Sequence, residues 1–322
     1  MIVVDGRWTG RHGIARFAGE VVARLPWAAE VRADVPPTSP RDVLSTWRLR
    51  LGRQDVVYSP GFNAGLTRAR QILTLHDLIH LDEPAERSKA KEAYYEAVVR
   101  PAVRRAGIVL TVSETSKARI ETWLGPSSRV EVVEVGNGCA PAFLGGSTPP
   151  PGRGRFLYVG NLKPHKNVEV LFRSLALRTA NRLTLVTADV HRAEALAQRH
   201  GVVDRVEVRS GLTDAELAEV YRRHDAVLMP SLLEGFGLPA LEAVASGRRV
   251  GYSSGCASVA EIVGGEGVAV GSAGDAEEWA QAMDRLLEAG PSSVAADPAW
   301  RDRYDWGSVS RRVERAVTSV TA

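Results

Sequence analysis

The densest grouping of chemically capable residues is Ser231-Leu-Leu-Glu-Gly-Phe-Gly-Leu-Pro-Ala-Leu-Glu242. Two carboxylates, Glu234 and Glu242, stand eight positions apart with Gly235, Gly237 and Pro239 between them. The glycines admit a ligand close to the backbone, and the proline suits the first turn of a helix running on through Ala240 to Val244. The uncapped N–H groups of such a helix start, at the positive end of its dipole, make a site for a diphosphate. One carboxylate can then reach a sugar hydroxyl and the other a ribose diol, each accepting hydrogen bonds from neighbouring hydroxyls. No D-x-D occurs anywhere in the chain, so the usual carboxylate pair for a diphosphate-bound metal is missing.

Such a loop needs a rigid frame. Short β-branched runs fall at residues 2–5, 31–35, 56–59, 72–75, 108–112 and 130–135, then at 156–159, 183–187, 206–209, 226–229, 249–252 and 268–270. Helical stretches separate many of them. Apolar strands alternating with amphipathic helices predict parallel sheets covered on both faces, and two series of about six strands predict two doubly wound, Rossmann-like domains. Residues 145–154, G-G-S-T-P-P-P-G-R-G, read as a linker between a domain at 1–147 and another at 153–322. A helix is expected at 275–287, capped by Asp275, and a last one at 306–317, free to pack back on the first domain. Ligands bind beyond the carboxyl ends of parallel strands, so two such sheets are expected to face each other across a cleft.

Composition narrows the function classes. Residues 1–147 carry 20 Lys/Arg against 16 Asp/Glu and the remainder 21 against 22, too even for a nucleic-acid stripe. Cys139 and Cys256 are far apart and support neither a disulfide framework nor a zinc knuckle, which suits a reducing cytoplasm. The opening M-I-V-V-D-G is too short an apolar run for a signal peptide, and no run approaches a membrane span, so any membrane contact is expected to be peripheral. A basic-aromatic helix at 84–106 could touch anionic lipid, although Glu86, Glu92 and Glu96 dilute its charge and an ordinary amphipathic helix is the simpler reading.

The Glu234–Glu242 spacing resembles the E-x7-E signature of the retaining glycosyltransferases of family 4, which have the GT-B fold. G-I-A-R-F from Gly13, L-T-L-H-D-L-I-H-L from Leu73, T-V-S-E-T-S from Thr111, V-G-N-G from Val135 and Y-V-G-N-L-K-P-H-K-N from Tyr158 resemble further family segments, in the family's order. The resemblance implies that Glu242 holds the ribose hydroxyls and Glu234 the donor sugar. It places the N–H groups of Phe236, Gly237 and Leu238 on the sugar and diphosphate and makes Lys166 the lysine that neutralises the diphosphate. His76 would bind the hexose near its 6-position, with Asp77 and His80 structural. Gly13 would present a helix start, at 14–25, to the β-phosphate, and Arg16 is a candidate phosphate or acceptor contact. Gly211 and Leu212 would cup the base, and Glu261 resembles a glutamate of a later donor-domain loop. Asn161 departs from the pattern, because relatives commonly carry arginine there; Lys163, Lys166 or a basic side chain from elsewhere must then meet the phosphate charge.

Retention is implied by the family. No side chain stands out as a covalent nucleophile, so a front-face route without metal or cofactor is the expected mechanism. The expected partners are a nucleotide sugar, first GDP-mannose because the G-N-L-K-P-H-K-N form resembles mannosyltransferases of polysaccharide assembly, and a glycan, lipid-linked or small-molecule acceptor. Two alternatives stay open: a sugar-nucleotide epimerase and a non-catalytic nucleotide-sugar-binding protein.

Overall fold

The computed structural model describes residues 1–10, 12–27, 35–44, 51–83, 87–145 and 154–320. Most of the linker expected at 145–154, and the run expected at 31–35 save Val35, lie outside them. The chain forms two compact units: Met1–Gly138 with Asp302–Ala322, and Cys139–Arg301.

In the first unit the parallel strands β1 (Ile2–Val4), β2 (Val56–Ser59) and β3 (Arg70–Leu73) run side by side, as do β4 (Ile108–Thr111) and β5 (Glu131–Glu134). A parallel bridge from Thr74 to Leu110 joins the two sets. The third strand thus sits two residues earlier than the expected 72–75, and it is Thr74 and Leu75 beyond it that reach β4. Helix α1 (Gly13–Val22) starts one residue earlier than expected, because the imidazole of His12 caps it by accepting from Ala15 N–H, and it ends three residues earlier, with Ala23 as its C-cap. A short α2 (Ile79–Asp82) follows β3. The expected 84–106 helix, whose residues 84–86 lie outside the described residues, takes the form of α3 (Lys89–Tyr94), a π-turn (Tyr95–Val99) and α4 (Arg100–Ala106). Pro101 has no N–H to donate and its ring crowds the carbonyl four residues back, which a widened turn relieves. The aromatic face of this helix is turned inward. Tyr95 is buried, Tyr94 Oη bonds Ala64, and Arg100 pairs with Glu96 and lies over Trp123. Helix α5 (Glu114–Leu124) completes the first pass through this unit.

The second unit holds a six-stranded sheet, all of its pairings parallel, built from β6 (Arg155–Val159), β7 (Arg182–Val186), β8 (Val206–Arg209), β9 (Ala226–Met229), β10 (Arg249–Ser253) and β11 (Val268–Val270). Its order, β11-β10-β9-β6-β7-β8, reverses between β6 and β9. That is the doubly wound nucleotide-binding order, with its switch point at the β6–β9 pair. Between the strands run α6 (Glu169–Ala176), α7 (Val190–Arg199), α8 (Asp214–Arg222), α9 (Leu238–Ala245) and α10 (Ala257–Val263), and α11 (Ala276–Ala289) follows the last strand. Asp275 caps α11 through Glu277 and Glu278 N–H, and the helix anchors its face with fully buried Trp279. Helix α12 (Pro298–Arg303) leads out of the unit.

The chain changes unit at Gly138–Cys139, ahead of the boundary expected near 147. The reason is the 3-10 turn Pro141–Phe143: Phe143 is buried edge-on against Tyr221, its carbonyl accepts from Ser246, and Arg222 donates to Ala142 O. The last helix, α13 (Trp306–Thr318), belongs to the first unit. It packs on α1 through Phe17 and Trp306, and Arg312 Nε bonds Val135 O at 2.8 Å. Gly138 has to be small there, since a Cβ would sit 2.3 Å from the Trp306 ring.

Candidate donor site

The two strands flanking the switch point each release a loop at their carboxyl ends. After β6 the chain turns at Gly160, whose φ of +147° suits glycine, and passes Asn161 to the 3-10 turn Pro164–Lys166. After β9 it runs through Ser231 and Glu234 to Gly237, the residue before α9, at φ +110°. Leu232 N–H donates to His165 O at 2.8 Å, tying the loops together.

That tie brings Lys166 onto Glu234. The ammonium lies 2.6 Å from Oε1 and 2.7 Å from Oε2, and Ser231 Oγ donates to Oε1 at 2.7 Å. The two side chains are only 17% and 10% exposed, so the pair is charge-assisted and largely out of water. Ser258 Oγ holds the Glu234 carbonyl at 3.1 Å. Burial, and then the Glu234 charge, push the Cys256 thiol up to about 11, leaving it a neutral packing group. Burial followed by the charges of Glu234 and Asp189 raises the Tyr158 phenol in the same way.

Eight residues on, Glu242 is buried within α9, and Tyr221 Oη donates to its Oε2 at 2.9 Å. Pro239 stands in the first turn of α9, as expected from its missing N–H, and Phe236 and Gly237 are buried at the helix entry. Asn161 is exposed; its carbonyl accepts from Tyr158 Oη and its side-chain oxygen from Lys163 N–H. The amide thus shapes its own turn, and the basic residues of this loop are Lys163 and Lys166. Gly211, at φ +72°, and partly exposed Leu212 follow β8, where Thr213 and Glu216 form a capping box for α8. Among the described residues no group of three or more His, Cys, Asp or Glu is placed to share a metal ion.

His76 and Gly13 belong to the first unit. His76 lies just past β3, and its Nε2–H donates to Pro60 O at 2.9 Å. Burial lowers its pKa, against the pull of the Pro60 carbonyl and Asp77, so the imidazole is neutral with Nδ1 the acceptor. Phe17 of α1 packs edge-on at 4.9 Å from the ring. Gly13 is the first residue of α1, and the His12 cap already occupies one of that helix's leading N–H groups. The chain on either side of Pro60 is held by a buried network, with Ser59 Oγ donating to Asn63 and accepting from Gly61 N–H, that gave no sequence signal. Asn63 bonds Trp8, Ser59, Asp5 and Asp42, and Arg7 bridges the two aspartates.

Read by sequence, Lys166 and Glu234 carry separate roles, and nothing local shows that they pair; Ser231, three residues from Glu234, and Tyr221, whose link to Glu242 spans 21 residues, carry no motif of their own.

The six-stranded doubly wound sheet has the strand order of one half of a GT-B fold. The family comparisons agree over nearly the whole chain. Residues 2–136 match the glycosyl transferase 4-like domain and residues 146–302 match glycosyl transferases group 1, and the protein belongs to this glycosyltransferase family. It is similar to O-antigen chain mannosyltransferase B of Escherichia coli, at 25% identity over 69% of this chain and 62% of that protein. It is also similar to a D-inositol 3-phosphate glycosyltransferase of Streptosporangium roseum, at 28% identity over 81% of this chain and 66% of that one. The chain thus spans somewhat under two thirds of the length of these relatives. Among solved structures, Anabaena HepE in complex with UDP and glucose shares the fold with a TM-score of 0.71, at 17% identity and 99% coverage of both chains.

Proposed function

We propose that this protein transfers a hexose from a nucleotide sugar to a glycan, lipid-linked or small-molecule acceptor, with retention of configuration. The observation that carries the reading is the Lys166–Glu234 pair held between the loops of β6 and β9, with buried Glu242 following on α9. In this reading the ribose diol sits on Glu242 and the diphosphate meets the N–H groups of Phe236, Gly237 and Leu238 at the start of α9. Gly211 and Leu212 border the base. Lys166 then exchanges one carboxylate for the leaving diphosphate, where a fixed cation is worth several kcal/mol to the transition state. Glu234 is released to accept from the sugar hydroxyls and to shield the oxocarbenium-like centre. Neutral His76 offers Nδ1 as an acceptor for a hexose hydroxyl.

On the front face the leaving phosphate oxygen takes the proton of the incoming acceptor hydroxyl. The new C–O bond forms on the face that the diphosphate leaves, with no protein nucleophile and no bound metal in the step. GDP-mannose is the first donor to test, supported by the mannosyltransferase name of the Escherichia coli relative. A UDP-sugar follows, supported by the UDP and glucose bound to Anabaena HepE. No described helix is long and apolar enough to cross a membrane, and peripheral contact at a cytoplasmic membrane face completes the proposal for a lipid-linked acceptor.

The test is incubation of the purified protein with radiolabelled GDP-mannose or UDP-glucose and pooled acceptors, followed by NMR of the product's anomeric proton. A product with the donor's α configuration supports the reading. A β product contradicts retention. Donor epimerised without acceptor points to the epimerase, and intact donor that binds but never turns over points to the non-catalytic protein.

A further inference from the structure

We infer that Tyr221 is the positioning residue that aims the Glu242 carboxylate and so makes the site select ribose over deoxyribose; this rests on the reading of Glu242 given above. Tyr221 lies in the last turn of α8 and is fully buried. Its hydroxyl is 2.9 Å from Glu242 Oε2 and 3.3 Å from Pro239 O, so one phenol joins α8 to both the first and second turns of α9. Phe143 packs edge-on against its ring, with centroids 5.7 Å apart and planes at 87°, and Ser246 Oγ secures Phe143 by its carbonyl.

A glutamate side chain turns about three bonds, and a diol can be gripped by one carboxylate only if both oxygens are presented in the right plane. A hydrogen bond from a fixed phenol to one oxygen sets that plane before the ligand arrives. The carboxylate retains lone pairs for further donors, since it can accept about four hydrogen bonds. The phenol itself is packed under the helix start, so it acts through Glu242 and not on the ligand.

The experiment is calorimetric binding to the full chain of GDP, UDP and their 2′,3′-dideoxy counterparts, in wild type, Tyr221→Phe and Phe143→Leu. Wild type should bind its preferred nucleotide at least about tenfold tighter than the dideoxy form, the loss expected when hydrogen bonds to a charged group disappear. Tyr221→Phe, which removes one oxygen and keeps the ring, should lose about tenfold for the ribonucleotide and stay within about twofold for the dideoxy probe. Phe143→Leu keeps the hydroxyl and should retain most of the wild-type ratio while lowering the melting temperature. Equal weakening of both probes by Tyr221→Phe, or none of either, would overturn the inference and leave the Glu242 reading intact. A wild type that binds the ribo and dideoxy forms alike would overturn the Glu242 reading and this inference with it.

Discussion

Replacing Lys166 by methionine removes an ammonium group and keeps most of its apolar stem. In the native protein that ammonium bonds both oxygens of Glu234, and Ser231 supplies the carboxylate's remaining side-chain bond. Breaking a buried pair costs about 3–5 kcal/mol because a charge is left without its counterion, whereas an exposed pair is worth only about 0–1 kcal/mol. With side chains 17% and 10% exposed, the pair lies near the buried limit, and we expect a loss of about 2–3 kcal/mol. For a unit of this size that corresponds to a fall of roughly 4–12 °C in melting temperature. Glu234→Gln removes the opposite charge and can keep the Ser231 bond, while the lysine turns to water; it should cost about 1 kcal/mol. The double variant leaves no buried charge and should therefore be more stable than Lys166→Met alone, a coupling of about 1–2 kcal/mol. Thermal and urea unfolding of the four proteins without nucleotide, at neutral pH, measures the cycle. A Lys166→Met protein that melts like wild type, or a double variant whose loss equals the sum of the singles, would refute the claim that Lys166 and Glu234 stabilise the fold as a pair.

Two further perturbations test the scaffold. Gly237 stands at φ +110° with Val259 Cγ2 only 3.1 Å from where a Cβ would lie, so Gly237→Ala should cost about 1–3 kcal/mol and weaken nucleotide binding; an alanine variant with native melting and affinity would show that this loop tolerates another path. His224 is buried between Val220 O and Thr184 Oγ1, and burial lowers its pKa below the ordinary value of about 6.5. Its unfolded form then binds the proton more readily, so its stabilising contribution is complete above about pH 6.5 and is lost as the pH falls toward the folded value. Melting temperatures from pH 7.5 to 5 should decline less in His224→Gln than in wild type, with His76, shifted in the same direction, supplying part of what remains; parallel declines would remove His224 from the account.

The parts of the fold that could be read in advance were those governed by local physics. The runs at 56–59 and 226–229 are strands with those bounds and are buried at every position, because parallel strands covered on both faces need nearly continuous apolar stretches; 206–209 and 268–270, at the edges of their sheet, keep their bounds with less burial. Asp275 caps its helix because its side chain reaches N–H groups two and three residues on. The strand expected at 72–75 slipped to Arg70–Leu73 because pairing with β2 decides register, and the sequence of β3 alone does not contain it. The unit boundary was misplaced for a similar reason. The proline-rich stretch draws the eye, yet Phe143, which locks onto Tyr221, has already committed the chain to the second unit.

The site divides in the same way. Glu234, Gly237, Pro239 and Glu242 are legible because one loop and one helix start carry them all. Apart from Ser231 beside Glu234, the partners of the two glutamates come from distant segments, Lys166 from 68 residues away and Tyr221 from 21. Such pairs are set by sheet order, here the reversal between β6 and β9, and no local pattern encodes that. The Asp5–Arg7–Asp42–Asn63 network behind Pro60 was invisible for the same reason.

The central claim is that the loops of β6 and β9 with α9 form a nucleotide-sugar donor site. Its most direct test is the thermal shift of wild type and Glu242→Ala with GDP, UDP, dTDP and ADP, since a ligand that binds the native state stabilises it by RT ln(1 + [L]/Kd). One nucleoside diphosphate should raise the wild-type midpoint, and that shift should be lost in Glu242→Ala. A midpoint unmoved by any of the four, or a shift that survives in Glu242→Ala, would contradict it.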